Sequence, residues 1–198
     1  MLYTRPKLFL ASNSPRRAEI LRNAGFAFKV LATNLDESRL GRESARAHVL
    51  RLAQAKAQAA AERLRSNRRA IVIAADTVVV AQGKILGKPS DVREARQMLR
   101  RLSGRTHEVL TGVAIRRVAD AQELHHVETT RVHFLKLSQE QIDDYIASGE
   151  PFDKAGAYGI QGRAGRFIDR IEGCYFNVVG LPLARVSSML RQLAARND

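Results

Sequence analysis

Asp76 is the residue that most invites a chemical reading. It interrupts an apolar, β-branched run, with Ala70-Ile71-Val72-Ile73-Ala74-Ala75 before it and Thr77-Val78-Val79-Val80 after it. A carboxylate buried there alone would be costly, so the position calls for a metal, a cation or a hydrogen-bond network. A helix N-cap is the plain alternative, and the Thr-Val-Val-Val that follows is poor helix chemistry. Asp36-Glu37 lies in a polar stretch between a strand pattern and a helix pattern. It reads either as two solvated loop acids or, with Asp76, as a carboxylate set for a hard divalent cation such as Mg²⁺. Lys56 follows Leu52 by four residues and Ala53 by three, on the apolar stripe of its helix. There it either snorkels past small alanines or reaches a buried anion.

Three glycine- or proline-bearing segments add candidates. Ser12-Asn13-Ser14-Pro15-Arg16-Arg17 joins a strand to a helix N-terminus. Backbone N–H groups, the helix dipole and two arginines favour an anion there, against the plain reading of a capped helix with exposed arginines. Gly83 to Pro89 is one residue short of a phosphate-binding Walker loop and ends in proline, so that motif is rejected. Lys88, between Gly87 and Pro89, remains a candidate phosphate lysine. Gly156, Gly159, Gly162 and Gly165 recur every third residue around Tyr158 and Ile160-Gln161, which suits a loop whose backbone approaches a ligand closely. No His-Glu-x-x-His, Gly-x-Ser-x-Gly or Gly-x-Gly-x-x-Gly spacing occurs.

The elements that must position these residues alternate along the chain, which predicts an α/β or mixed α+β fold with a mixed sheet flanked by helices. Leu8–Ala11 is a short buried strand, followed by a helix opened by Ser14-Pro15 and closed near Gly25. Phe26–Ala32 alternates as a strand, Thr33–Arg42 is a polar loop, and a long helix runs from about Glu43 to Leu64. Ala70–Val80 is extended, Gln82-Gly83 turns the chain, and a capping box at Asp91 opens a helix to Leu102. Thr106–Val118 and Glu123–Leu137 pair as antiparallel strands, and Ser138 opens another helix. Arg166–Ile171 and Tyr175–Val179 read as strands, and Pro182 begins a last helix.

Composition narrows the classes. The 198 residues are 45% hydrophobic, enough for a core, and they are read as one domain, 1–198. One cysteine, Cys174, excludes an internal disulfide framework. The Leu8–Ala11 run is too short for a signal-peptide core, and no apolar stretch is long enough to span a membrane, so a cytoplasmic protein without membrane association is expected. The net charge of +13 makes an anionic partner the first guess. A nucleic-acid partner is disfavoured, because aromatic residues are only 6% and no recognition motif occurs.

Together these segments resemble the Maf-like nucleotide pyrophosphatases. The matching stretches are Leu10-Ala11-Ser12-Asn13-Ser14-Pro15-Arg16-Arg17, Ala75-Asp76-Thr77, Gly87-Lys88-Pro89, Ser103-Gly104-Arg105-Thr106-His107, Asp153 to Gly162, and Val179-Gly180-Leu181-Pro182-Leu183. The resemblance implies a two-lobed fold with a cleft, like that of the inosine-triphosphate pyrophosphatases. It implies hydrolysis between the α and β phosphates of a nucleoside triphosphate, with a divalent cation (Mg²⁺ or Mn²⁺) as cofactor. It makes Asp76 the catalytic carboxylate and pairs it with Glu37 as metal ligand. Ser14, Arg17, Lys56 and Lys88 become substrate-binding residues. Arg16, Thr77 and Gln161 match the specificity positions of the family's dTTP/UTP subgroup, whereas the 7-methyl-GTP subgroup carries a tryptophan at the first of them; this chain has none. A homodimer is the family's usual form.

Overall fold

The computed structural model describes residues 7–195. Seven strands form one sheet: Lys7–Ala11 (β1), Phe28–Val30 (β2), Ala70–Ala81 (β3), Lys84–Leu86 (β4), Thr106–Arg117 (β5), Glu123–Phe134 (β6) and Ile168–Glu172 (β7). Their order is β2-β1-β3-β5-β6-β7, with β4 paired to β3. The helices are Pro15–Asn23 (α1), Ala45–Arg63 (α2), Val92–Leu102 (α3), Gln139–Ala147 (α4), Tyr175–Val179 (α5) and Leu183–Ala195 (α6). β1 is parallel to both β2 and β3, whereas β4 and β7 run antiparallel to β3 and β6. The sheet is therefore mixed, as the alternation of patterns predicts. Among the described residues no helix is long and apolar enough to cross a membrane.

The chain divides into two compact units. Among the described residues, one comprises 7–76, Thr111–Glu128 and 180–195; the other comprises Thr77–Leu110 and Thr129–Val179. In the first, β1 lies beside β3 with Leu8 opposite Ile71 and Leu10 opposite Ile73. Helix α2 covers this sheet with alanines. Ala53, Ala57, Ala60 and Ala61 pack with Phe9, Val72, Ala74 and Ala114. Small side chains let the helix come close, and Gly112 shows how close: a Cβ there would lie 2.3 Å from the Val49 carbonyl oxygen. Ser44 caps α2 by accepting from Ala47 N–H.

In the second unit α3 and α4 bury Ala95, Leu99, Leu102, Ile142, Tyr145 and Ile146 against Val109, Val132, Phe134 and Phe167. The Ser138–Gln141 capping box forms in both directions. The Asp91 box forms in one direction only: Asp91 accepts from Glu94 N–H, but the Glu94 carboxylate turns to the Ser90 N–H and hydroxyl. Gln82 and Gly83, both at positive φ (51° and 71°), make the two-residue β3–β4 turn.

Two sequence readings are corrected here. Tyr175–Val179 is helix α5, not a strand. Its aromatic and β-branched residues suit a strand, but tertiary hydrogen bonds decide otherwise. The wholly buried Asn177 donates its amide to Val109 O and Thr130 Oγ1, both at 2.9 Å. The Thr130 hydroxyl also donates to Cys174 O and accepts from Cys174 N–H, fixing the turn that starts the helix. The strand expected from Arg166 begins only at Ile168, because residues 163–167 wind into a 3₁₀ turn.

His107 sits in this second core. It is 3% exposed, and its ring meets Phe134 and Tyr158 edge-on. Nε2 shares a 2.7 Å hydrogen bond with the Tyr158 hydroxyl, and Nδ1 has no hydrogen-bond partner. Burial, and secondarily the charge of His133, pull its pKa down to about 4. The unfolded chain therefore takes up the proton first as pH falls. The stabilisation is complete above about pH 6.5 and is lost progressively toward pH 4. His107→Gln should remove about 2 kcal/mol of the stability lost between pH 7 and pH 5, as read from urea unfolding at the two pH values.

Candidate active site

The loop after β1 is built by Ser12. This buried hydroxyl oxygen accepts from Ser14 N–H at 3.2 Å and from Arg17 Nη1 at 3.0 Å. Arg17 also donates Nε to Gly180 O at 2.8 Å. The guanidinium is thus aimed by the backbone around it, though only 9% of Arg17 is exposed. Burial lowers its pKa, while the charges of Asp76 and then Glu37 support the cation. Ser14 occupies the N-cap position of α1 and Pro15 the first helical position, but the Ser14 side chain makes no cap hydrogen bond. The half-buried Arg16 is near enough to disfavour the Arg17 charge.

Lys56 follows Val49 by seven residues and Leu52 by four, so it shares their face of α2. Gly112 draws the Val49 turn onto the sheet, and Lys56 is carried inside with it. Lys56 and Asp76 are 6% and 7% exposed. The ammonium donates to Asp76 Oδ1 at 2.7 Å and meets Glu37 Oε1 at 2.6 Å. Of the two readings open for Lys56, the structure shows the second: it reaches buried anionic charge. Arg17, Glu37, Lys56 and Asp76 form one constellation in the first unit, two cations and two carboxylates.

Glu37 comes from a segment without regular secondary structure, and two residues missed in the sequence hold that segment. Glu43 accepts a fork from Arg51, at 3.0 Å from Nε and 2.6 Å from Nη2. Its Oε1 also accepts from Leu40 N–H at 2.9 Å and pairs with His48 Nδ1 at 2.8 Å. Arg51, then Leu40 N–H, hold the Glu43 carboxyl well below the usual carboxylate range. Arg51 Nη2 further donates to the Ser38 carbonyl, one residue past Glu37. The signal was present, since Arg51 lies on the same helix as Lys56, but nothing in the sequence names Glu43 as its partner. Asp36 separates from Glu37: it turns onto the Ser38 N–H and hydroxyl, an Asx turn.

The remaining predicted residues lie in the second unit. Thr77 follows Asp76 in β3 and is half-buried. Lys88 is exposed after β4, and Gln161 is exposed in the glycine-rich loop. These two segments are joined, since Gly156 N–H donates to Gly87 O at 2.9 Å. Gly156 needs to be glycine: its φ is 71°, and a Cβ would meet Val79 at 2.9 Å.

Among the described residues no group of three or more His, Cys, Asp or Glu side chains is placed to hold a metal ion. Two carboxylates held on one ammonium are nevertheless a fitting donor set for a hard divalent cation. Such an ion takes one or two carboxylates and completes its shell with water and substrate phosphate.

The sequence is similar to those of known proteins. A family model described as "Maf-like protein" matches residues 7–193. The dTTP/UTP pyrophosphatase of Symbiobacterium thermophilum is 53% identical over 186 residues, covering 94% of this chain and 93% of that protein. The dTTP/UTP pyrophosphatase of Salmonella typhimurium is 48% identical, covering 96% and 95%. Among solved structures, the Ham1 protein of Staphylococcus aureus matches at 15% identity and a TM-score of 0.46, covering 65% of this chain and 71% of that one.

The buried pair should be strongly coupled. Lys56→Met leaves carboxylate charge uncompensated and should lower stability by about 3–5 kcal/mol. The double variant Lys56→Met/Asp76→Asn should be destabilised by clearly less than the sum of the single variants, as measured by a urea-unfolding double-mutant cycle.

Proposed function

The chain belongs to the Maf-like family, and on that basis we propose that it is a nucleoside triphosphate pyrophosphatase acting on dTTP and UTP. Modified pyrimidine nucleotides are within the same chemistry. Water attacks the α-phosphorus, the bond to the bridging α–β oxygen breaks, and nucleoside monophosphate and pyrophosphate leave. The observation that carries this reading is Lys56, buried between Asp76 and Glu37 with the Arg17 guanidinium beside them.

Each residue then has a task. Asp76 is the general base that takes the proton of the attacking water. Its Oδ1 is engaged by Lys56, so Oδ2 is the oxygen assigned to the water. Glu37 and Asp76 would hold the divalent cation, which when bound polarises phosphoryl oxygen and lowers the pKa of water. Lys56 keeps the two carboxylates from repelling each other. Arg17, presented by Ser12 and the Gly180 carbonyl, and Ser14 take phosphate oxygens, and the guanidinium stabilises charge that grows in the transition state. Lys88 is assigned to the phosphates and Arg16, Thr77 and Gln161 to the base, by their match to the family's positions. An arginine and an amide suit thymine and uracil, whose carbonyls accept hydrogen bonds. A homodimer in the cytoplasm is the form we assign to the working enzyme.

With Mg²⁺ or Mn²⁺, dTTP and UTP should yield monophosphate and pyrophosphate, resolved by anion-exchange chromatography without added pyrophosphatase. Orthophosphate as first product would overturn the mechanism, and preference for 7-methyl-GTP would overturn the substrate assignment. Asp76→Asn should lower kcat by about 10²–10⁴ while the variant stays folded; near-normal turnover would remove Asp76 from its role.

A further inference from the structure

Gln161 occupies the third position of a turn that opens at Gly159 and closes at Gly162, where Gly162 N–H donates to Gly159 O at 3.1 Å. The side chain is exposed, so the turn alone sets the point from which it projects. That backbone rests on Glu150, which follows α4 by way of Gly149 at a φ of 75°. Glu150 Oε2 accepts from Arg163 N–H at 2.9 Å, and Oε1 accepts from the Tyr145 hydroxyl at 3.0 Å. The carboxylate lies directly against Gly162: a Cβ there would fall 2.0 Å from Oε1 and 2.4 Å from Cδ, so any larger residue would displace the carboxylate from its place under the turn.

The other end of the turn is seated by the same segment. A Cβ on Gly159 would meet the Lys154 stem at 2.6 Å, and Lys154 Nζ is tied to Glu150 O at 2.7 Å and to Asp153. Tyr145 is wholly buried and meets Phe167 edge-on, with ring centroids 5.5 Å apart. Phe167 ends the 3₁₀ turn that continues from Gly162, whose carbonyl accepts from Gly165 N–H. Side chains from Glu150–Lys154 thus pack against both glycines that bound Ile160-Gln161.

We propose that Glu150 is a positioning residue for Gln161 and thereby sets the preference for thymine and uracil over cytosine. This rests on the reading above that Gln161 addresses the base. The chemistry is directional. A glutamine amide donates through its nitrogen and accepts through its oxygen. Thymine and uracil present a carbonyl at position 4, where cytosine presents an amino group. A turn held at both ends fixes where Gln161 stands and so keeps its amide within reach of position 4. A loosened turn forfeits that placement, and discrimination against cytosine falls with it.

The experiment is kcat/KM for dTTP and for dCTP, measured with Mg²⁺ on the full chain and on four variants. Gln161→Ala should collapse the dTTP preference. Glu150→Ala should lower the dTTP-to-dCTP ratio by about tenfold, with turnover of dCTP maintained or raised, because a loosely held contact group forfeits orientation rather than chemistry. Glu150→Gln, which keeps one acceptor, should fall between Glu150→Ala and the parent. Tyr145→Phe keeps the ring packing and removes one hydrogen bond to Glu150; it should move the ratio the same way and decides the matter should Glu150→Ala not fold. Glu150→Ala and Tyr145→Phe that slow both nucleotides equally, while Gln161→Ala changes the ratio, would make Glu150 merely structural and overturn the proposal. A ratio unmoved by Gln161→Ala would overturn the specificity reading itself, and this proposal with it.

Discussion

A lysine ammonium that is 6% exposed must be compensated, and much of the first unit is organised around how that is done. Lys56 has two anionic partners at 2.6 and 2.7 Å, and each arrives by a different route. Asp76 is brought by a strand whose preceding six residues are apolar and buried. Glu37 is brought by a segment with no ladder of its own, fastened through Ser38 and Glu43 to the helix that carries Lys56. The alanine face of α2 and the missing side chain at Gly112 let that helix lie close enough for the ammonium to reach. A larger residue at either place would push the helix off the sheet and separate the charges. Compact packing and the paired charges are here one constraint, because the low exposure that strengthens the electrostatics also makes an unpartnered charge intolerable.

This explains which parts of the site could be read in the sequence. Asp76 and Lys56 were legible because each breaks an apolar pattern, one in a strand and one on a helix stripe, and a buried charge needs a partner. That the partner of each is the other was not legible, since twenty residues and a change of element separate them. Glu37 was legible only as an acid in a loop. Glu43 and Arg51 were missed because a charged pair on a helix and its leading loop has no pattern that distinguishes it from a solvated one. The fold followed periodicity well where elements are long. It failed at Tyr175–Val179, where the buried Asn177 and the Thr130 hydroxyl override the β-preference of the residues around them.

The large positive charge also resolves into particular uses. Arg17 donates to Gly180 O, Arg63 to Ala32 O, Arg51 to Ser38 O and Arg117 to Leu193 O. In each case a guanidinium satisfies a carbonyl far along the chain or in a segment without regular structure. Arginine suits this because its planar fork reaches several acceptors while staying charged. These four therefore stitch backbone, and Arg17 and Arg51 also feel the charge of Asp76.

Glu43 and Glu150 share one structural logic. Each is a carboxylate close to the end of a helix, each accepts a backbone N–H of an irregular segment (Leu40 in one case, Arg163 in the other), and each is fixed by a second donor, Arg51 or Tyr145. The segment so held carries a residue of the proposed reaction, Glu37 or Gln161. Irregular backbone has no ladder to fix its geometry, and ordering it opposes folding by about 1–2 kcal/mol per residue. An acid fastened to a helix supplies that order at a single point while leaving the functional side chain uncovered. A helix or strand in the same place would give more rigidity but would spend the backbone N–H groups on itself and turn side chains in fixed alternation. The loops can approach a ligand closely because their order comes from side chains beneath them.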